Sequence, residues 1–457
     1  MLGIVVSRAD RASEHVGNRL RELADWSPVD APAHPDAAGP VSQTDGAQLR
    51  EFDAWHLDLD DAADAFPADL DLLVFASRHS GETGPLLTAH HTGNFGPAEH
   101  GGEDDALARA CPHAHRRVLD ALATHAPEDY EVGMECTHHG PTDVGAPSMF
   151  VEVGSDEPQW DDPAAARAVA RAILDLRAVA PDADLEPASV DNDPTGQNRR
   201  HLVGFGGGHY APRFERIVRE TDWAVGHLAA DWGLSAMGEP DLNRDLLDAA
   251  FVESAATHAL VDGDRPALRS EIADLGYQVV GETWLRAVTG VPLALAARLE
   301  DALVTVEAGL RFGEPAREAA PEADFQVVSL PDELVAAAQG IDQNRTRERV
   351  AAHALAFRTA ENGNRVAGRA AVASRGDYTA IVDGAVEMLR TAYDTVERRT
   401  DVVIARRDRF DPEKAETLGV PEGPKFGQLS AGEPVEVNGR TIPPDQVRSE
   451  QVDRFSL

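Results

Sequence analysis

The chain has 457 residues, 42% of them hydrophobic, with 79 acidic against 42 basic residues and a formal net charge of −37. Two or three domains with full cores fit that length, and no stretch nears the roughly 20 apolar residues of a membrane span. Two cysteines, Cys111 and Cys136, exclude a disulfide framework and a four-cysteine zinc site, and as free thiols they fit a reducing cytoplasm.

Residues 2–6 read as a buried first strand, not a signal peptide. Asp10 to Ala24 follows with Ala12, Val16, Leu20 and Leu23 at helical spacing. Residues 27–50 are rich in Pro, Ala, Gly and Asp without periodicity and read as a surface insertion; Phe52 to Leu59 reads as a short strand. Leu70 to Ala76 is a strong central strand ending in Ser77-Arg78-His79, and Leu86 to Ala89 a short one ending in His90-His91-Thr92-Gly93-Asn94. A helix is predicted over 104–125, with Pro112 marking a break or fresh start inside it. Tyr130 to Met134 is a strand running into Glu135-Cys136-Thr137-His138-His139-Gly140-Pro141. Ser148 to Val153 is a strand and Pro163 to Val179 a helix. An apolar run from Leu202 ends in Gly206-Gly207-Gly208-His209, and Pro212 opens a helix to Glu220. A strand at 223–227, helices over 241–251 and 265–275, and a strand at 277–280 follow. Residues 312–324 read as an acidic linker; beyond them lie a helix over 378–396 and a hairpin turn at Asn438-Gly439.

The alternation of strand and helix predicts an α/β fold, a mostly parallel sheet flanked by helices. The expected layout is a catalytic domain over 1–311, the linker 312–324, and a smaller α+β region over 325–457. Histidine-bearing turns follow predicted strands at 77–79, 90–94, 135–141, 206–209 and 227. Ligands of open α/β sheets sit outside the carboxyl ends of the strands, so one site on one sheet edge is expected.

Three glycines before His209 permit a tight turn beside free backbone N–H groups, suited to a phosphate, a carboxylate or an oxyanion. Neither a P-loop nor Gly-x-Gly-x-x-Gly is present there, so no nucleotide cofactor is expected. His138 and His139, joined in space by His79, His90, His91 or His209, supply enough nitrogens for zinc. Taken singly, each histidine could instead bond backbone in a polar loop. Cys136 has a neighbouring base for a nucleophile's role, although a free cysteine is more often a small buried residue. Arg213, Arg216 and Arg219 share one helix face, open to salt bridges with the abundant acids or to a phosphate backbone. Lys414 and Lys425 are the only lysines. Acid excess without lysine suits molar salt, where a Debye length of roughly 3 Å removes the long-range argument against a nucleic-acid partner.

Phe75-Ala76-Ser77-Arg78-His79, His90-His91-Thr92-Gly93-Asn94, Glu135-Cys136-Thr137-His138-His139-Gly140-Pro141 and Gly206-Gly207-Gly208-His209-Tyr210-Ala211-Pro212-Arg213 resemble, in that order, the signature stretches of the archaeal and plant type of D-aminoacyl-tRNA deacylase. Gly3-Ile4-Val5-Val6-Ser7 also fits, and the composition looks like a haloarchaeal member. The tail from Gly423 looks like terminal segments of some tRNA-processing zinc hydrolases. The resemblance implies hydrolysis of the ester between a D-amino acid and the acceptor end of tRNA, in the cytoplasm, by a zinc-binding enzyme of phosphorylase/peptidyl-tRNA hydrolase-like fold. It implies catalytic roles for His209, His138 and Glu135, and metal ligation by His79, His138 and His139. Substrate would be bound by Gly206, Gly207, Gly208, Arg213, Thr92, Asn94 and Arg78. With that partner, the arginine face is expected on phosphate. Competing readings are a metal-dependent hydrolase of the same fold acting on a peptide or nucleoside, and a non-catalytic aminoacyl-tRNA-binding factor.

Overall fold

The computed structural model describes residues 1–37, 39–182 and 199–457. It divides the chain into two units, Met1–Gly290 and Val291–Leu457. The division falls at Gly290, ahead of the 312–324 segment expected to carry it.

The first unit starts with β1 (Leu2–Ser7), buried throughout, and α1 (Arg11–Leu23), capped by the Asp10 carboxylate accepting from Ala12 N at 3.0 Å. Then come β2 (Ser27–Val29), β3 (Val41–Thr44), β4 (Ala47–Phe52), β5 (Leu72–Arg78), β6 (Leu86–His90), α2 (Pro112–His125), β7 (Glu131–Met134) and β8 (Ser148–Gly154). These strands form one sheet ordered β2-β3-β4-β1-β5-β8-β6-β7. The run β4-β1-β5-β8 is parallel, and its near-continuous apolar sequences suit strands buried on both faces. β6 is antiparallel to β8, and β7 is parallel to β6. After β8, α3 (Glu157–Trp160) leads into α4 (Pro163–Leu174), which packs with α1 and α2. A core around Phe52, Phe66, Phe75 and Phe150 includes residues of the chain between β4 and β5.

Of the 27–50 segment expected as a surface insertion, residues 41–44 and 47–50 are sheet strands: β4 pairs with β1 along its length, Leu2 to Ser7 against Ala47 to Phe52. Gln48 and Arg50 are buried polar residues on β4, and they conceal its strand pattern. Arg50 Nη1 donates to Pro32 O at 3.0 Å and to Ala65 O, which meets part of the buried guanidinium's need, while its Nε has no acceptor among the described residues. Ala38, inside the expected insertion, lies outside the described residues. The strand expected over 52–59 ends at Phe52; His56–Asp58 is a 3₁₀ turn. Helix α2 begins at Pro112 and not at 104, because proline suits a first turn and keeps the preceding Cys111 out of helical geometry.

A second sheet completes this unit. Its elements are β9 (His201–Phe205), α5 (Pro212–Glu220), β10 (Ala224–Ala229), α6 (Asp231–Met237), α7 (Arg244–Glu253), β11 (His258–Val261), α8 (Pro266–Asp274), β12 (Gln278–Val280) and α9 (Glu282–Ala287). The order is β10-β9-β11-β12, all parallel. β11 is too short to show a period and is absent from the sequence reading. The Gly206–His209 turn therefore leaves a different sheet from the other histidine turns, and His227 lies within β10.

The second unit contains α10 (Leu293–Ala302), β13 (Leu310–Phe312), α11 (Glu314–Glu318), β14 (Gln326–Ser329), α12 (Asp332–Ile341), α13 (Gln343–Ala351), β15 (Ala356–Ala360), β16 (Arg365–Val372) and α14 (Arg375–Arg390). β17 (Thr395–Arg398), β18 (Val402–Phe410), α15 (Pro412–Thr417), α16 (Pro424–Ser430), β19 (Val435–Val437), β20 (Arg440–Ile442) and β21 (Arg448–Ser456) end the chain. The segment read as a linker thus carries α11. Sheets β13-β15-β16-β14 and β17-β18-β21 are antiparallel. The β19–β20 hairpin turns at Asn438 (φ 51°) and Gly439 (φ 75°), as their sequence predicts. Among the described residues no helix is long and apolar enough to cross a membrane.

Gly204 on β9 lets α5 approach the second sheet: a Cβ there would lie 2.7 Å from the Phe214 ring and 3.0 Å from Leu228 Cγ. Gly204→Ala should cost about 1–3 kcal/mol through overpacking. Thermal unfolding at constant KCl checks this; an unchanged midpoint would show that the helix moves off freely.

Candidate active site

The site is built against β8. Glu152, 3% exposed, is the one charged residue of that strand. His90 ends β6 opposite Phe150, stacks on that ring at 5.4 Å, and brings Nε2 within 3.6 Å of Glu152 Oε1. His79, just past β5, places Nδ1 3.2 Å from Glu135 Oε1 and 3.6 Å from Glu152 Oε2. Glu135, just past β7, is buried, and its Oε2 lies 2.6 Å from His209 Nε2. The His138 ring sits 4.1 Å from His90 and 4.7 Å from His209; His139 sits 4.4 Å from His138 and 4.8 Å from His90. Tyr210 Oη is 3.1 Å from His79 Nε2.

Backbone pairing aims the 135–140 loop. Cys136 N donates to His209 O at 2.8 Å and Thr137 N to Leu228 O at 2.9 Å, joining the loop to the second sheet. The Thr137 hydroxyl accepts from Leu228 N at 3.0 Å and meets His227 Nδ1 at 3.1 Å. His139 adopts φ 48°, so two adjacent histidines reach the same site, which an extended strand would forbid.

Burial pulls His79 toward neutrality, but the facing carboxylates Glu135 and Glu152 outweigh it and lift its pKa to about 11. Burial likewise opposes ionisation of Glu135 and Glu152; their histidine partners win and hold both below the usual carboxylate range. His138 and His139 are pushed down, first by burial and then by neighbouring histidines. Burial and the neighbouring Glu135 raise Cys136 to about 12, which disfavours a thiolate, although its Sγ lies 3.5 Å from His209 Nδ1.

Three imidazoles share one arrangement. His90 Nδ1 lies 3.0 Å from His91 O, His138 Nδ1 2.8 Å from Cys136 O, and His139 Nδ1 2.7 Å from Gly140 O. Each Nδ1–H can donate to a carbonyl, which leaves Nε2 as the lone-pair nitrogen, the orientation of metal-binding histidines. His90, His138 and His139 offer ligand atoms within 4.8 Å of one another; so do Cys136, His138 and His209, and so do His79, Glu135 and Glu152. His90 Nε2 and Glu135 Oε1 are buried without a well-directed hydrogen bond. The donor set fits a zinc-like cation. The expected trio of His79, His138 and His139 is nevertheless split: His79 belongs with the carboxylates, and His90 takes its place.

Other expected residues lie apart. Thr92 is fully buried, and the Asn94 amide donates to Gly101 O and Glu103 O, both at 3.0 Å, clamping a loop. His91 points to the opposite side, its ring 4.7 Å from His115 and 5.8 Å from His227. Gly206 N donates to Ala229 O and Gly207 N to Asp231 Oδ1, so among the described residues only Gly208 retains the free N–H expected of all three. Arg213 pairs with Asp262 at 2.6 Å and Glu282 at 3.3 Å, Arg216 with Glu282 at 3.0 Å, and Arg219 with Glu215 at 2.6 Å. The arginine face is occupied by carboxylates, against the expectation of a phosphate contact. Glu152 and Tyr210 are additions; a lone glutamate in an apolar strand was the available signal for the first.

Residues 66–280, which contain these four segments, match the family model described as D-aminoacyl-tRNA deacylase. A D-aminoacyl-tRNA deacylase of Haloarcula marismortui is 54% identical over 463 residues, covering 100% of both chains. One of Halorubrum lacusprofundi is 52% identical over 100% of this chain and 97% of its own, and one of Methanoregula boonei 35% over 83% of each. A crystal structure of a conserved protein of unknown function is 27% identical, with a TM-score of 0.53 over 63% of this chain and 96% of that one.

Glu152→Gln removes one of the two charges that keep His79 protonated. The His79 titration midpoint should fall from about 11 toward neutrality. Imidazole ¹⁵N shifts followed against pH check this, and an unmoved midpoint would leave Glu135 as sufficient by itself.

Proposed function

The chain belongs to the D-aminoacyl-tRNA deacylase family, and on that premise we propose that the cluster of His79, Glu135, Glu152 and His209 is where it works. The protein hydrolyses the ester between a D-amino acid and tRNA, releasing both. The observation that carries the site reading is Glu135: one oxygen meets His209, the other His79. The His209 side chain is 32% exposed, whereas those of Glu135 and His79 are 0% and 5% exposed. His209 is therefore the group that attacking water can reach.

In this reading His209 takes the proton from water at Nδ1, where the Cys136 thiol now meets it at 3.5 Å and must give way to the water, while Glu135, at Nε2, steadies the imidazolium. The same proton passes to the departing ribose oxygen as the ester bond breaks. Tyr210 Oη, accepting from His79 Nε2, keeps its own O–H to donate to the tetrahedral oxyanion. An aminoacyl ester is already activated, so modest stabilisation suffices. Zinc would be held by Nε2 of His90, His138 and His139, a closer-grouped set than one containing His79. Bound there, it supplies Lewis acidity and a water of lowered pKa. Glu152 beside His90 offsets the added positive charge.

We read the two-sheet unit as phosphorylase/peptidyl-tRNA hydrolase-like and the enzyme as cytoplasmic. The −37 charge, the two lysines and the haloarchaeal relatives support activity in molar salt.

In molar KCl, the D-aminoacyl ester of tRNA should disappear far faster with protein than in buffer, and faster than the L-ester. His209→Ala should lower kcat by roughly 10²–10⁴-fold. Loss of the D-ester no faster than in buffer would sink the deacylase reading; ester retained in a stable complex would favour a binding factor. Chelation should abolish turnover, and full activity at near-zero metal content would leave zinc without a catalytic part.

A further inference from the structure

Arg78 is the last residue of β5, immediately before His79. Its guanidinium carbon lies 4.6 Å from the centre of the Trp55 ring and 4.8 Å from that of Trp160. Both indoles are themselves held. Trp55 stacks on the buried His56 at 5.0 Å and 18°. Trp160 Nε1 donates to His79 O at 2.9 Å, and its carbonyl meets His15 Nδ1 at 2.8 Å. The Arg78 backbone is pinned as well, its N–H donating to Asp10 Oδ2 at 2.9 Å.

Among the described residues, the Arg78 guanidinium has no hydrogen-bond acceptor and no ion-pair partner, although the chain carries 79 acidic residues. Arg213, Arg216 and Arg219 are all paired with carboxylates. Arg78 is half-buried, so it is not a fully solvated surface cation, and its charge also acts on the buried Asp10. A guanidinium packed against ring faces keeps its in-plane N–H fork, and that fork matches the oxygens of a phosphate. Base stacking is the poorer use of this place, because Trp55 already has Arg78 and His56 as ring neighbours.

We propose that Arg78, held by Trp55 and Trp160, is the subsite for a phosphodiester of the tRNA acceptor end and positions the terminal ester beside His79. The subsite rests on the deacylase reading. Its contact is short-range and pre-organised, so molar salt screens it far less than a diffuse basic patch. A net charge of −37 leaves little else to attract RNA. Trp160 also ties the subsite to the catalytic cluster through the His79 carbonyl.

The test compares D-aminoacyl-tRNA with D-aminoacyl-adenosine, which has no phosphate, in molar KCl. Arg78→Lys keeps the charge and loses the fork. It should raise KM for the tRNA ester by roughly 10- to 100-fold with kcat retained, and leave the adenosine ester unaffected. Trp160→Leu, which frees the arginine, should shift the tRNA ester in the same direction by less. Binding of uncharged CCA trinucleotide, which needs no turnover, should weaken in Arg78→Lys by the same factor. Equal losses on both esters, or no change on either with CCA binding intact, would overturn the subsite. A wild-type protein inert toward both D-esters would overturn the deacylase reading, and the subsite with it.

Discussion

Two ionised carboxylates buried side by side are the constraint from which the first unit's centre follows. Glu135 and Glu152 have side chains 0% and 3% exposed. Several kcal/mol per ion is the order of the desolvation penalty, and only close positive or hydrogen-bonding partners offset it. His79 touches both carboxylates, His209 and His138 approach Glu135, and His90 approaches Glu152. Removing one partner leaves a bare charge in the interior, so the cluster holds or fails as a unit.

That cluster needs two sheets to exist. β6 and β7 run against β5 and β8, so the ends of β5 and β6 do not share an edge. His90 stands level with Phe150 in the middle of β8, and Glu152 projects from inside the strand. His209 arrives from the second sheet, and the Cys136–His209 and Thr137–Leu228 backbone bonds set its distance. The general rule that ligands sit at carboxyl ends points to turns that the fold brings together, but not to the shape of the candidate site.

Much of the candidate site was legible because its titratable residues are concentrated in short polar runs after apolar ones. His79, Glu135, His138, His139 and His209 all come from such runs. Thr92 and Asn94 belong to a similar run but lie apart from the cluster for a local reason: β6 ends at His90, and the chain then turns into the core. Glu152 was hidden in a strand whose remaining residues read as core. Cys136 has histidine neighbours in sequence, but burial and Glu135 push its thiol pKa up. The β3–β4 strands read as an insertion because Gln48 and Arg50 break the apolar pattern, and their burial is met in part by Gln43, Pro32 and Ala65, contacts that only the fold supplies.

By itself the sequence determined the α/β class, the main strands β1, β5, β7, β8 and β9, the polar turns that follow them, and the family resemblance. These are local properties: apolar runs, glycine and proline placement, and residue types in short windows. Only the tertiary structure decided that the turns come from two sheets, that His90 and not His79 completes the histidine trio, and that carboxylates cover the arginine face of α5. It also brought Trp55 and Trp160 onto Arg78 from positions on either side of it in the chain. Partner choice among charges and rings depends on distances across long sequence separations, and no spacing along the chain encodes them.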